Sequence, residues 1–259
     1  MKVRTPRAGL VLFAAAATLV ATFGTPAVGA PKPVTIMADD FPGSHLNTSK
    51  WSLAGGKACT DPSNVWVSGG YLQIRTGQTG SHAYCGGRVR ATVSLRPGVR
   101  IQMRANFALP QGFHGGMALY GTQGSWPAKG EIDMDELLGR ARHVDHTTAW
   151  AGTVGDLSTR CGLSHDYYNA QTLNKTWHVY ELDWQPGYMV YRLDGHQVWS
   201  FTATEFVAQH CTYPFTSPTN PFGLFITTGA GGRWAGAPSS SGYPAILKVD
   251  WVRITAAAK

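Results

Sequence analysis

Charged side chains are scarce in this chain of 259 residues: Asp, Glu, Lys and Arg together supply 14% of it, against roughly 25% in an ordinary soluble domain. Aromatic residues reach 11% and include nine tryptophans, which is the reverse of the composition of a disordered protein. The 31 glycines follow no three-residue period, so a collagen-like helix is excluded. We therefore expect a globular protein with many glycine turns, built mainly from strands.

Long apolar runs are absent from the sequence after the first thirty residues. A basic start, Met1–Arg7, precedes the mostly apolar stretch Ala8–Phe23, and small residues follow up to Ala30. This layout predicts a secretory signal peptide over 1–30, because the apolar stretch is shorter than the roughly 20 residues that span a membrane as a helix. We expect one domain over 31–259, secreted to the extracellular space and without a membrane segment after cleavage.

The excess of basic residues is small once that segment is set aside. The formal net charge is +7, and the first thirty residues hold three of the 22 basic residues and none of the 15 acids, which leaves 19 − 15 = +4. The remaining bases are scattered, as at Arg140 and Arg142. A nucleic-acid binder needs clustered bases, so we expect no nucleic-acid partner.

Cysteine occurs four times, at Cys59, Cys85, Cys161 and Cys211. An even number in an exported chain favours two disulfides, with three possible pairings. We favour Cys59–Cys85 with Cys161–Cys211 because these pairs close the shorter loops, although the sequence leaves all three pairings open. Closely spaced cysteine pairs of the kind that bind zinc are missing.

Alternating apolar and polar residues predict strands. The pattern holds for nine residues over Val99–Phe107, the period of a half-buried strand. Shorter runs of this kind lie at Tyr71–Arg75, Trp177–Trp184, Tyr188–Leu193, Val198–Thr202, Phe222–Thr227 and Ile246–Ile254. Asp194-Gly195 separates two runs and predicts a tight hairpin turn. Strands spaced by Gly, Pro, Asn and Ser clusters predict an all-β sandwich or barrel. Most tryptophans, with Trp184, Trp199 and Trp251 among them, are expected in its core.

Four of the fifteen acids fall within the six positions 131–136. On a strand, Glu131 and Asp133 share one face while Ile132 and Met134 point to the other. Regular alternation would leave Glu136 on the face opposite Glu131, but a bulge of one residue would return it. The alternative interpretation is an ordinary solvated run of acids at the surface.

Three carboxyl groups on one face would suit a particular chemistry. Crowded carboxylates resist joint ionisation, which raises at least one pKa, and two carboxyls with separated pKa values form the acid and nucleophile of glycoside hydrolysis. Glu131 would attack the anomeric carbon and Glu136 would protonate the leaving oxygen. Neighbours on one strand face suit the separation of about 5–5.5 Å that retaining enzymes use.

The stretch Trp126-Pro-Ala-Lys-Gly-Glu-Ile-Asp-Met-Asp-Glu136 resembles the bulged W-P-x-x-G-E-x-D-x-x-E signature of glycoside hydrolase family 16. Further stretches that are similar to that family lie at Arg100–Pro110, Trp177–Trp184, Tyr191–Gly195, Gly231–Trp234 and Val249–Arg253. The resemblance implies a β-jelly-roll of two antiparallel sheets with a concave cleft. It also implies that Glu131 is the nucleophile, Glu136 the acid/base and Asp133 the residue that orients Glu131.

The resemblance implies a polysaccharide substrate and an endo-acting, retaining β-glycanase, and we expect a monomer that requires no cofactor. The stretch Phe113–Tyr120 lacks the aromatic residues that many β-glucanases of the family carry there. Hydrolysis of β-1,3- or mixed β-1,3/1,4-glucan is the first expectation. A galactan (agar or carrageenan type) hydrolase, a transglycosylase and a non-catalytic glycan-binding lectin remain alternatives.

Sugar rings present apolar faces that stack on aromatic side chains. The candidate substrate-binding residues are Trp126, Trp234, Trp150, Tyr120 and His146. Members of the family often hold a structural Ca²⁺ away from the cleft, and Asp250 with backbone oxygens near Asp40 is the candidate site here.

Overall fold

The computed structural model describes residues 32–55, 59–78, 84–153, 156–239 and 244–256. The signal peptide expected over 1–30 lies outside these ranges. Within them, the helices are too short to cross a membrane.

Strands dominate the described chain. They are β1 (Val34–Asp39), β2 (Trp51–Leu53), β3 (Val65–Ser68), β4 (Tyr71–Gln78), β5 (Tyr84–Gly86), β6 (Arg88–Leu95), β7 (Val99–Ala108), β8 (Phe113–Gly121), β9 (Glu131–Leu138), β10 (Val144–Thr153), β11 (Asp156–Tyr168), β12 (Trp177–Gln185), β13 (Tyr188–Leu193), β14 (His196–Thr202), β15 (Phe222–Ala230) and β16 (Ala245–Ala256). A 3-10 turn (Pro62–Asn64) and two short helices, α1 (Ala203–Val207) and α2 (Gly232–Ala235), complete the described elements.

The strands form two antiparallel sheets. One has the order β14-β13-β12-β7-β16-β4-β3, with β1 added beside β16 and β5 beside β4. The other has the order β11-β10-β9-β8-β15-β6-β2. One hydrophobic cluster contains buried side chains from both sheets, as in a sandwich. The predicted all-β class of two antiparallel sheets is confirmed.

Strand alternation builds the core as the sequence predicts. In β7 the alternate residues from Val99 to Phe107 are buried and the residues between them are not. The hairpin between β13 and β14 turns at Asp194 and Gly195, whose φ angles are 50° and 81°. Positive φ at both central residues is required by the type I′ turn, whose twist matches that of the flanking strands.

The tryptophans deviate from the expected core role. All nine are described, and only Trp51 and Trp184 are fully buried. The placement of Trp251 in the core is wrong, because the register between β16 and β7 shifts between Val249 and Trp251. The bulge moves this indole to the outer face, where it is half-buried.

The two favoured disulfides, Cys59–Cys85 and Cys161–Cys211, are both formed. The second one links β11, at the edge of the seven-stranded sheet, to the segment after α1. The predicted pairing is confirmed.

Candidate active site

The acidic stretch forms β9, which lies between β8 and β10 in the seven-stranded sheet. Gly130 precedes it with a φ of +81°, a conformation that side chains disfavour. Along β8, Met117 pairs with Asp135 and Ala118 with Asp133, so Met134 is one residue too many. The register with β10 shifts at the same place. The bulge that the acid spacing indicates is therefore present.

The bulge decides which side chains face outward. Ile132 and Met134 are buried in the hydrophobic cluster between the sheets. Glu131 and Glu136 are both partly exposed, whereas Asp133 is buried. The bulge also requires a close approach of β8, because a Cβ atom at Gly116 would lie 2.0 Å from the carbonyl oxygen of Asp135. Only glycine fits opposite the bulge.

Cross-strand neighbours give each glutamate its own surroundings. Glu131 pairs with Tyr120 on β8 and Trp150 on β10. Glu136 pairs with Gly116 and His146 on the same two strands. Because paired residues on one face are in contact, aromatic rings flank the first glutamate, and a glycine and a histidine flank the second.

Glu131 accepts hydrogen bonds from two of the predicted binding residues. The indole Nε1–H of Trp126 donates to its Oε2. The hydroxyl group of Tyr120 is hydrogen-bonded to the same carboxylate, and burial, followed by the charges of Glu131 and Asp133, raises the pKa of this phenol. Both donors hold the carboxylate in one orientation.

Asp133 lies between the two glutamates and is shielded from water. Burial is the largest cause of a pKa well above the usual range for this carboxyl, followed by the charges of Glu136 and Glu131. The hydroxyl group of Thr148 donates a hydrogen bond to its Oδ2 and opposes that shift. With its proton bound, Asp133 can donate a hydrogen bond to Glu131.

Glu136 has a raised pKa. Burial, then the charge of Glu131 and then that of Asp145, raises its pKa to about 8. A carboxyl group with such a pKa keeps its proton at neutral pH and can give it to a leaving oxygen.

Behind β9, on the core side, lie two acids to which the sequence analysis assigned no role. Asp135 and Asp145 are 0% and 2% exposed. Burial, then Asp145 and then Glu136, raises the pKa of Asp135 well above its usual range. Burial likewise raises the pKa of Asp145 to about 8. Burial, followed by the charges of Asp145 and Asp135, raises the pKa of Tyr180, on the opposite sheet. A second acid pair thus lies beneath Glu136.

The remaining predicted binding residues lie on two sides of the carboxyl groups. The His146 Nδ1 atom is 2.7 Å from Oδ1 of Asp166, and its ring centroid is 5.3 Å from that of Trp234. Trp234 is 38% exposed. On the other side, the guanidinium carbon of Arg160 is 4.6 Å from the ring centroid of Trp150. The structure thus gathers all five predicted binding residues around the three carboxyl groups.

Comparison with known proteins agrees with this geometry. The sequence profile described as "Glycosyl hydrolases family 16" matches residues 36–253. The chain belongs to this family. It is 27% identical, over 262 residues, to the glucan endo-1,3-beta-glucosidase A1 of Niallia circulans, with 85% of this chain and 37% of that protein covered. It is 30% identical, over 138 residues, to the beta-glucanase of Rhodothermus marinus, with 51% of this chain and 47% of that protein covered.

The chain therefore spans less than half the length of either of these relatives. Among solved structures, the endo-beta-1,3-glucanase from Pyrococcus furiosus superposes with a TM-score of 0.76 at 22% identity, covering 86% of this chain and 94% of that one. The fold of this family 16 chain is accordingly a β-jelly-roll of two antiparallel sheets.

The family 16 cleft also contains residues that the sequence analysis missed. Arg88, Lys129 and Phe225 line a cavity of about 460 Å³ beside Glu131, together with Tyr120 and Trp126. The alternation along β6 and β15 indicates which residues share a face. It does not predict the strand order β9-β8-β15-β6 in the sheet. Arg88 lies near Glu131 because of this order.

Both acids of the expected calcium site, Asp250 and Asp40, are paired with arginines. Oδ2 of Asp250 accepts a hydrogen bond from Arg104, and Asp40 pairs with Arg253. Over the ranges that the structure describes, no three His, Cys, Asp or Glu side chains are grouped so that they could hold a metal ion. Calcium binding at Asp250 would require the ion pair between Arg104 and Asp250 to break.

Proposed function

We propose that this family 16 chain is a secreted, endo-acting β-glycanase that hydrolyses β-1,3- or mixed β-1,3/1,4-glucan with retention of configuration. One observation carries the proposal: the bulge in β9 puts Glu131, Asp133 and Glu136 on one face, and the pKa of Glu136 is raised to about 8. A carboxylate nucleophile beside a carboxylic acid that keeps its proton is what retaining hydrolysis needs.

In the first step, the ionised Glu131 attacks the anomeric carbon while Glu136 gives its proton to the leaving oxygen. The bond to the aglycone breaks and a glycosyl ester of Glu131 forms. Trp126 and Tyr120 orient the attacking carboxylate through hydrogen bonds, and protonated Asp133 donates a further hydrogen bond to it. Trp150, Trp234 and His146 contact the sugars on either side.

The second step reverses the role of Glu136. The charge of Glu131 is one of the causes that raise the pKa of Glu136, and esterification removes this charge. The pKa of Glu136 therefore falls once the intermediate has formed, and the carboxylate can accept a proton from water. That water attacks the anomeric carbon and releases Glu131.

The reaction uses carboxyl groups and water alone, so we expect no cofactor. A structural Ca²⁺ at Asp250 stays a prediction, which a shift in Tm on adding EGTA would support. Export rests on the signal sequence over 1–30, and the two disulfides suit an oxidising compartment. We expect the exported protein to be a monomer.

The test is the replacement of each glutamate by glutamine. Glu131→Gln and Glu136→Gln should each lower kcat on laminarin or lichenan by at least about 10²-fold, with an unchanged circular dichroism spectrum. Glu205→Gln is the matched control, because Gln also fits this position of a capping box. Wild-type activity in both variants on every glycan tested would contradict the assignment.

Azide separates the two roles. On an activated aryl glycoside, Glu136→Ala should be rescued to give a glycosyl azide of retained configuration, because Glu131 is still the nucleophile. Glu131→Ala should give the inverted azide. The opposite outcome would exchange the two roles.

A further inference from the structure

Thr148 is the cross-strand neighbour of Asp133. The two residues form the first pair between β10 and β9 beyond the interruption of the register. Paired residues on one face of a sheet are in contact, and both residues are buried, at 8% and 2% exposure. The bulge therefore puts the hydroxyl group of Thr148 against a carboxyl group from which water is excluded.

The two oxygen atoms of the Asp133 carboxyl group have different surroundings. Oδ2 accepts a hydrogen bond from the Thr148 hydroxyl group. Oδ1 is buried, and within the described ranges no N–H or O–H group donates to it. The carboxyl group of Glu131 is within hydrogen-bonding reach of Asp133. Because an ionised carboxylate only accepts hydrogen bonds, a bond between these two acids requires a proton on Asp133.

That proton is present at neutral pH, and Oδ1 is its favoured position. Burial is the largest cause of the raised pKa of Asp133, and the charges of Glu136 and Glu131 follow. If Oδ2 carried the proton, the Thr148 hydroxyl group would have to accept a hydrogen bond and could not donate one. Among the described residues it has no second acceptor, and a buried donor without a partner is costly.

Contacts across the sandwich hold Thr148 in place. Its carbonyl oxygen accepts a long hydrogen bond of 3.4 Å from the hydroxyl group of Tyr191 on β13. Tyr191 is itself 1% exposed and stacks on Trp199, with the ring centroids 4.9 Å apart. Because the β-branched side chain of threonine has a restricted χ1 angle, a fixed backbone also restricts the direction of the hydroxyl group.

We propose that Thr148 is a positioning residue for the reaction: its hydroxyl group keeps Oδ2 of Asp133 as an acceptor, so that Oδ1 carries the proton and donates it in a hydrogen bond to Glu131. Without this hydroxyl group, either oxygen of Asp133 can carry the proton, and Glu131 is held for only part of the time. The inference rests on the proposed glycosidase function and adds a residue to it.

Thr148→Val removes the hydroxyl group and keeps the branched shape of the side chain. We expect kcat on laminarin to fall by about tenfold, because Glu131 is held less firmly in the attacking orientation, while KM changes by less than about threefold. Thr148→Ser keeps the hydroxyl group and should retain kcat to within about threefold. If the valine variant fails to fold, Thr148→Ala replaces it, since alanine and serine differ here by one oxygen atom.

Thr147→Val is the matched control. Thr147 precedes Thr148 on β10 and is 1% exposed, and its hydroxyl group donates a hydrogen bond of 3.2 Å to the carbonyl oxygen of His165. Strand alternation turns its side chain away from Asp133. This variant loses a buried hydroxyl group from the same strand and should keep kcat within about threefold. An unchanged kcat in Thr148→Val, or an equal loss in both valine variants, would overturn the inference.

Infrared difference spectroscopy locates the proton without turnover. If Oδ1 carries the proton, Oδ2 is the carbonyl oxygen of a carboxylic acid, whose stretching band is assigned by its loss in Asp133→Asn. A carbonyl group that loses a hydrogen bond stretches at higher frequency. The band should therefore move up in Thr148→Val and stay in place in Thr148→Ser and Thr147→Val. A band that does not move, or the absence of a carboxylic acid band from Asp133 at neutral pH, would contradict the proposed role.

Hydrolysis by the wild-type protein, measured in parallel, keeps the two proposals separate. Hydrolysis of laminarin with the same kcat in the wild type and in Thr148→Val leaves the glycosidase proposal intact and overturns the role of Thr148. If the wild type hydrolyses neither laminarin, lichenan, agarose nor carrageenan, the glycosidase proposal is contradicted. The infrared band then decides by itself whether Thr148 determines which oxygen of Asp133 carries the proton.

Discussion

Asp145→Asn should reduce the loss of folding stability as the pH rises. The carboxyl group of Asp145 is 2% exposed, and burial raises its pKa from 3.8 to about 8. Between these values the folded state keeps a proton that the unfolded state has released. The free energy of unfolding therefore falls as the pH rises through this interval. Asparagine is neutral at every pH and keeps an oxygen for the backbone N–H of Glu136, which lies next to Asp145.

The size of the effect follows from one proton. A difference of one bound proton changes the free energy of unfolding by about 1.4 kcal/mol for each pH unit. From pH 5 to pH 7, the wild-type protein should lose about 3 kcal/mol more than Asp145→Asn does. This is a large share of the free energy of unfolding of an ordinary domain, which is about 5–15 kcal/mol. Asp135 shares the site, so the wild-type loss includes its titration as well.

Guanidinium denaturation at pH 5, 6 and 7 measures the difference directly. Asp40→Asn removes a carboxyl group that is 67% exposed and is not among the groups that shift the pKa of Asp145, so it controls for the loss of one acid. Parallel pH profiles for the wild type and Asp145→Asn would refute the reasoning. They would mean that Asp145 is already ionised in the folded protein, with a counter-charge or water that solvates it.

Two further predictions concern the carboxyl face. The rate of hydrolysis at saturating substrate should fall above about pH 8, because Glu136 must hold a proton to donate it and its pKa is raised to about 8; a pH profile of kcat that stays flat to pH 10 would contradict this role. Gly116→Ala should lower kcat by about tenfold or more, because its Cβ would lie 2.0 Å from the Asp135 carbonyl oxygen and must displace the bulge. Wild-type kcat in this variant would show that the bulge tolerates displacement.

Local patterns predicted the parts of the fold that depend on local chemistry. Asp194-Gly195 forms the expected turn because both residues tolerate positive φ. The spacing of Glu131, Asp133 and Glu136 indicates a bulge because no regular strand puts all three on one face.

Features that depend on distant pairing were not predictable from local patterns. Trp251 leaves the core because of a bulge in β16 that no residue type signals. Arg88 is 43 positions before Glu131 in the chain, and only the order of the strands joins them in one cavity. Asp145 appears as an ordinary polar residue of β10 until the register places it beneath Glu136.

The bulge in β9 has a consequence for how the proposed activity can be lost in evolution. Glu131 and Glu136 are five positions apart, which is an odd number. If β9 paired without the bulge, regular alternation would therefore turn one of the two side chains toward the core. A descendant could keep every carboxyl group of the signature and still be inactive after a change on β8 or β10 that removes the extra residue from the pairing. The presence of the two glutamates in a related sequence is therefore not enough to predict the reaction. The strand register that contains the bulge must be conserved as well.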